Sequence, residues 1–408
     1  MYAVIILALL VLVEWYSYVF VKTLIRNKRT VAIYLLINFA FLVYLAYFFT
    51  SFDRHRGQTH YTMYLMGVLM FVFFPKVVVT LIFIIQDFFR SVKALWKKLN
   101  RPKQKIELPG RRKFVTQAAL GLAAIPFFSI LYGMVKGKYN FHVIKQPVYF
   151  DDLPDAFDGF KILQISDLHC GSFDDREKIA YGIDLINAQD YDLFVFTGDL
   201  VNSLAEEVDP WISALRNIKT PQYGKYSILG NHDYGEYMHF DTEAEKEANF
   251  VGIKNRHKKI DFELLLNQNV KLQKDGEEIA LVGVENWGLN FKRVGDLKKA
   301  SEGLTDKDFK VLLTHDPSHW DAEVNTHPNN YHLTLAGHTH GMQFGIEIPN
   351  VVKWSPIKYL YKQWAGLYEK SQRFIYVNRG FGFHAYAGRV GIMPEITVLE
   401  LKKRRKNV

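Results

Sequence analysis

Four apolar stretches, at residues 2–25, 31–50, 63–89 and 114–135, constrain this chain more than any other feature. Crossing a bilayer takes roughly 20 mostly apolar residues, and each stretch reaches that length. Hydrocarbon offers no partner to a bare backbone amide, so each stretch is expected to be a helix. The first lacks a basic leader and is followed by three more, which marks it as a retained span rather than a cleaved signal.

Charge between the spans predicts their orientation. The first connection carries Arg26, Lys28 and Arg29, and the second only Arg54 and Arg56 against Asp53. The third is densely basic: Arg90, Lys93, Lys97, Lys98, Arg101, Lys103, Lys105, Arg111, Arg112 and Lys113. The first and third connections are therefore expected in the cytoplasm, with both termini outside the cytoplasmic (inner) membrane. The same basic segment accounts for much of the net charge of +9, so nucleic acid is not the expected partner. Arg111-Arg112-Lys113-Phe114-Val115 also resembles a twin-arginine export signal, although Gly110 precedes the pair and Val115 stands where leucine is commoner. As a signal or as a positive flank, it places the following domain outside.

Glu14 and Lys76 are ionisable residues at similar depths in spans of the same direction. A lone charge there is costly, so the two are expected to pair. The plain reading is a packing lock between helices; the sharper one is a polar relay.

Past the spans the chain reads as a soluble domain. The expected boundary divides a transmembrane region, 1–137, from a domain at 138–408, with 138–150 as connector. Short apolar runs then end in polar clusters at 161–167, 193–199, 226–231, 279–284, 310–315 and 332–338, with two more strands at 373–378 and 395–401. Helical patterns at 176–189 and 206–218 lie between strands, which predicts an α/β sheet. The single cysteine, Cys170, forbids an intrachain disulfide.

The polar clusters carry the chemistry, because open α/β sheets gather their sites at strand C-terminal ends. Asp167 and His169 share a face at i, i+2 spacing, as do His338 and His340, while Asp199, Asn231 and His315 each follow a strand. Carboxylate and imidazole donors suit Mn, Fe or Zn, and seven ligands suit two divalent ions rather than one. Two such ions activate a water and neutralise charge at phosphorus.

In order, Asp167-Leu168-His169, Gly198-Asp199, Gly230-Asn231-His232-Asp233, His315 and Gly337-His338-Thr339-His340 resemble the calcineurin-like metallophosphoesterase superfamily. Asn378-Arg379-Gly380-Phe381-Gly382 and Met393-Pro394-Glu395-Ile396 are similar to its bacterial YkuE/YaeI-like branch, with Met342 departing from a common glycine. The resemblance covers roughly 160–401. It implies two mixed sheets packed face to face with helices outside, a β-sandwich behind the all-α membrane region. It implies one metal on Asp167, His169, Asp199 and His340, and a second on Asp199, Asn231, His315 and His338, with Asp199 bridging. His232 would act on the phosphate as a non-ligand acid, with Asp233 orienting it or stabilising its charge.

Bland roles are expected elsewhere: packing for Cys170, surface or structural roles for His142, His239, His257, His327 and His332, and a structural or supporting role for His319. Arg389 and His384 lie in a loop that would approach the pocket, where Arg389 would meet a phosphate. Trp354, Tyr359, Tyr361, Trp364 and Tyr368 are expected to pack in a core. The expected function is a membrane-anchored phosphodiesterase or phosphomonoesterase acting on a lipid-linked or envelope substrate. Two alternatives use the same residues: a cytoplasm-facing UDP-diacylglucosamine-type pyrophosphohydrolase, and a membrane scaffold with a structural metal site.

Overall fold

The computed structural model describes residues 2–51, 53, 55, 57–100, 111–348 and 351–405. Residues 101–110 of the basic connection, and the side chains of Arg111, Arg112 and Lys113 in the twin-arginine-like stretch, lie outside the described set. The chain divides into two compact units, Met1–Asp53 with Met66–Tyr132, and Arg54–Leu65 with Gly133–Val408.

The first unit is built from α1 (Tyr2–Leu24), α2 (Lys28–Thr50), α3 (His60–Asn100) and α4 (Arg111–Val135). All four are long and apolar enough to cross a membrane. The third extends beyond the expected span into the basic connection, since Arg90, Lys93, Lys97 and Lys98 have good helix propensity. Val79 and Phe83 of α3 pack with Ala119 and Ala123 of α4 and with Tyr16 and Phe20 of α1. Ile37, Phe39 and Tyr47 remain about two-thirds exposed, as side chains facing lipid must. Lys76 Nζ lies 2.7 Å from Glu14 Oε1 and 2.6 Å from Asn38 Oδ1, while Asn38 Nδ2 donates to Glu14 Oε2. The expected pair is thus a triad, closed by an asparagine from α2.

The second unit holds strands β1 (His142–Phe150), β2 (Lys161–Ile165), β3 (Leu193–Phe196), β4 (Lys225–Ser227), β5 (Glu263–Leu264), β6 (Gln268–Lys274), β7 (Glu277–Gly283), β8 (Lys310–Leu313), β9 (Leu333–Ala336), β10 (Ile346–Ile348), β11 (Val352–Trp354), β12 (Gly366–Lys370), β13 (Arg373–Val377) and β14 (Glu395–Lys403). Among the described residues they form two six-stranded sheets, β1-β14-β2-β3-β4-β5 and β12-β13-β9-β8-β7-β6, and a β10-β11 hairpin. The core of each sheet is parallel, β2 to β5 in one and β7-β8-β9-β13 in the other. Antiparallel neighbours join at β14-β2, β12-β13 and β6-β7, so both sheets are mixed.

Alternation along the strands explains the layers. Ile162, Leu193, Val195, Leu281, Val311, Leu333 and Leu399 meet between the sheets. Their neighbours Leu163, Phe194 and Phe196 face Ile179, Ile183 and Ile186 of α5 (Arg176–Asn187) and Ile253 of a later helix. Ala280, Val282 and Leu312 face outward from the second sheet, toward Leu297, Ala300 and Trp320. Strands buried on both faces read as continuous apolar runs, which is what 193–196 and 311–313 show. The fold is the expected β-sandwich flanked by helices.

Two local expectations are corrected. Residues 138–150 are no connector, because His142–Phe150 pairs in parallel with all of β14. The 206–218 pattern is a 3₁₀ turn, Ala205–Trp211, running into a short helix, α6 (Ile212–Arg216), and Pro210 lacks the amide that a longer helix would need. The 17-residue helix α7 (Glu243–Lys259) follows it, with Thr242 accepting from Glu245 N as its cap.

Residues 57–65 belong to this second unit. Met63 is fully buried with Tyr139, Phe383 and Ala387, and its carbonyl accepts from Ala387 N at 3.3 Å. Lys138 reaches Asp174 Oδ2 at 2.5 Å and Tyr64 Oη at 2.9 Å.

Candidate metal centre

Each expected ligand sits in a loop just beyond a strand. Asp167 and His169 follow β2, Asp199 follows β3, Asn231 follows β4, His315 follows β8, and His338 and His340 follow β9. Five of the seven have left-handed backbones: Asp167 (φ 51°), His169 (φ 48°), Asp199 (φ 60°), His338 (φ 72°) and His340 (φ 48°). Such strain persists only where the surroundings over-determine it, and it concentrates at functional sites. The loops are stitched together: Asp167 N donates to Gly198 O at 2.9 Å, and Gly337 N donates to His315 O at 2.9 Å. Gly337 is forced by this closeness, because a Cβ there would strike Ser166 Oγ and the Asp167 carboxylate.

Two groups of donors result. His340 Nε2 lies 3.2 Å from Asp167 Oδ1 and 3.0 Å from His169 Nε2. In the other, His315 Nε2 lies 3.1 Å from Asp199 Oδ2, with His338 nearby. Asp199 stands between them, since the same Oδ2 is 3.6 Å from His169 Nε2. Its Oδ1 accepts from His232 N at 2.9 Å, which holds the carboxylate in that orientation.

The remaining ligand atoms are aimed from behind. His315 Nδ1 donates to Thr197 O at 2.7 Å, leaving Nε2 for the site. Asn231 Nδ2 donates to Tyr237 Oη at 2.6 Å, and Asn231 Oδ1 is buried without a hydrogen-bond partner. His338 Nε2 meets Tyr361 Oη at 2.8 Å, and its Nδ1 is likewise buried and unpartnered. Orphaned buried acceptors beside two buried carboxylates are what a cation satisfies, so the donor set fits divalent metal.

The electrostatics agree. Burial, with His384 and His232 adding to it, holds His169 well below the usual histidine range, and burial also lowers His338, which favours the neutral rings a metal would need. Burial opposes charge on Asp199, but His315 and His232 outweigh it and keep the carboxyl well below its usual range. Burial likewise opposes charge on His315, yet Asp199 and Asp167 push it up to about 10. The carboxylates thus draw positive charge onto a buried ring next to them.

Beside these groups, His232 Nδ1 donates to Asn202 O at 2.8 Å, and its ring stacks on Tyr237 with centroids 4.1 Å apart. The expectation that Asp233 orients His232 is corrected. Asp233 Oδ2 accepts from Asp199 N (3.0 Å) and Gly230 N (2.8 Å), and Oδ1 from Leu200 N (2.8 Å) and Val201 N (3.3 Å). Its carboxylate fastens the ligand loops, and the ring is held by the Asn202 carbonyl instead.

Arg389 is also corrected. It is fully buried and donates to the carbonyls of Arg379 (2.9 Å), Gly380 (3.2 Å) and Gly382 (3.0 Å), so it builds the loop rather than meeting a phosphate. His384 of the same loop does enter the site, with ring centroids 4.7 Å from His169 and 4.4 Å from His232. Two residues were missed. Asp316, buried, puts Oδ2 3.7 Å from His338 Nε2, and its place directly after His315 was the available signal. Tyr361, read as core, hydrogen-bonds His338, and nothing in an aromatic-rich stretch marks that one hydroxyl. His319 bonds Thr314 (3.0 Å) and Glu323 (3.1 Å), away from the ligand groups, and Cys170 packs in the core.

Residues 160–342 match the family model for calcineurin-like phosphoesterases, and residues 1–138 match the model for a probable calcineurin-like phosphoesterase transmembrane domain. The chain is 33% identical to YkuE, an uncharacterized metallophosphoesterase of Bacillus subtilis, over 64% of this chain and 84% of that one. It is 26% identical to a transmembrane protein with a metallophosphoesterase domain from Danio rerio, over 77% of this chain and 69% of that one. Another uncharacterized metallophosphoesterase of Bacillus subtilis, YkoQ, shares 26% identity over 68% and 97%.

Proposed function

This chain belongs to the calcineurin-like metallophosphoesterases, metal-dependent hydrolases of phosphoric esters, and we propose that it uses two divalent ions to cleave phosphodiester or phosphomonoester bonds in a lipid-linked or envelope substrate. The convergence of six carboxylate and imidazole side chains, Asp199 among them, with His232 beside them and outside the proposed ligand set, carries this reading. Asp167, His169, Asp199 and His340 would hold one ion, and Asp199, Asn231, His315 and His338 the other. Mn, Fe and Zn suit these donors. When bound, the ions supply a Lewis-acid clamp on phosphoryl oxygens and make an attacking water more acidic.

The protein's own groups do the rest. With Nδ1–H committed to Asn202, His232 can use only Nε2 to contact the phosphate, and from there it passes a proton to the leaving oxygen. Asp233 keeps the Asp199 and Gly230 loops in register. A cavity of about 530 Å³, lined by Asn231, Glu236, Tyr237, Asn290, Phe291 and Lys292, gives a leaving group room beside Asn231.

The chain is a membrane protein with four spanning helices. Loop charge supports a catalytic domain outside the cytoplasmic membrane. Anchoring supports a lipid-linked or envelope substrate, because it keeps the site within reach of one.

The full chain in detergent, loaded with Mn, is the material to assay against p-nitrophenyl phosphate and bis(p-nitrophenyl) phosphate. Asp199→Ala is expected to lose both metal and activity. His232→Ala is expected to keep its metal and lose on the order of 100-fold or more in kcat. Wild-type rates in either variant would sink the mechanism. A metal-bound wild type inert on every ester would favour the structural-site alternative.

A further inference from the structure

We propose that His384 is a second non-ligand histidine of the reaction site and holds a phosphoryl oxygen of the substrate beside His232. The proposal rests on the phosphoester reading above and adds a substrate contact to it. His384, His232 and His169 each offer a ring nitrogen, and the three nitrogens lie within 4.8 Å of one another. The His384 ring meets His232 edge-on at 64° and lies at 39° to His169. His169 belongs to the ligand set, so His384 and His232 form an imidazole pair next to it.

The rings differ in what holds them. His232 has one nitrogen fastened to Asn202. Among the described residues neither ring nitrogen of His384 makes a hydrogen bond, and the residue is only half-buried. Its backbone, by contrast, is held firmly. His384 N donates to Gln343 Oε1 at 2.5 Å, and Gln343 Nε2 returns a bond to Gly388 O at 2.8 Å. Ala385 takes a left-handed conformation (φ 66°) and donates to Gln58 Oε1 at 3.1 Å. Arg389 fills the inside of the loop with bonds to the carbonyls of Arg379, Gly380 and Gly382. A fixed backbone that leaves a polar ring unpaired at a site is the signature of a ligand contact.

The chemistry suits phosphate. A phosphoryl group presents several oxygens, and one imidazole reaches one of them. Two imidazoles side by side donate to two different oxygens, so His384 adds affinity and orientation without competing for the proton that His232 transfers.

The test uses the Mn-loaded full chain, with inorganic phosphate as probe, read by calorimetric binding and by competitive inhibition. His384→Ala is expected to weaken phosphate about tenfold or more, the loss of one hydrogen bond to a charged oxygen. Its metal content and melting temperature should match wild type. His384→Gln, which keeps a donor, is expected to recover part of the loss. Unchanged phosphate affinity in His384→Ala overturns the proposal. So does loss of metal in that variant, which would make His384 a ligand, and so does a metal-loaded wild type that binds no phosphate. A wild type that binds phosphate through His384 but hydrolyses no ester refutes the phosphoester reading alone. Hydrolysis with His384 irrelevant to phosphate refutes this proposal alone.

Discussion

Asp233 carries more of the site's geometry than its position beside His232 suggests. It is fully buried, and its two oxygens accept from four backbone amides in two different loops. Burial and the nearby Asp199 charge push its carboxyl up to about 7, while the amide donors pull the other way. Asp233→Ala would leave those four donors buried and unpaired. Each such orphan costs about 1–3 kcal/mol, so a loss of at least about 3 kcal/mol in unfolding free energy is expected, together with weaker metal binding. Denaturant titration and metal analysis read both. A change under about 1 kcal/mol would show that the amides find other partners.

Among the elements, the membrane helices pose the question of what a buried charge pair is for. Glu14, Asn38 and Lys76 tie α1, α2 and α3 together through one polar knot. Removing one member of such a pair strands the other charge, at a typical cost of about 3–5 kcal/mol. Lys76→Glu and Glu14→Lys are each expected to lower the melting temperature in detergent. The double swap should restore much of the loss. Additive destabilisation instead would mean that the pair contributes nothing as a pair. In the catalytic unit the same logic of closeness appears as strain, because five of the candidate ligands accept left-handed backbones where five strand-end loops converge.

For the whole molecule, the side of the membrane that carries the site sets which substrates it can meet. Residues 57–65, the connection between the second and third spans, belong to the catalytic unit, and Met63 is buried in its core. Four crossings would put the second connection and the catalytic domain on the same face of the membrane. A reporter fused after Val408 is expected to be active as an alkaline phosphatase and silent as a cytoplasmic reporter such as β-galactosidase. The reverse pattern would overturn the outside placement and favour the cytoplasm-facing pyrophosphohydrolase reading.

Much of this protein was legible in the residues themselves. Span lengths, strand ends and the ordered ligand motifs are local properties, since apolar runs and i, i+2 spacings need no distant partner to be read. The pairing of Glu14 with Lys76 was legible too, because matched depth follows from helix rise alone. Contacts between segments far apart in the chain were not. The tertiary structure decided that 142–150 is an edge strand on β14, that Asn202 rather than Asp233 holds His232, and that His384 stands beside His232 while Arg389 backs His340 from inside the loop. Each is a choice among side chains or amides of equal local merit, settled only by which loop packs against which. The seven candidate ligands could be proposed from sequence because their chemistry marks them. What surrounds them could not, because a backbone carbonyl such as that of Asn202 carries no mark in the sequence at all.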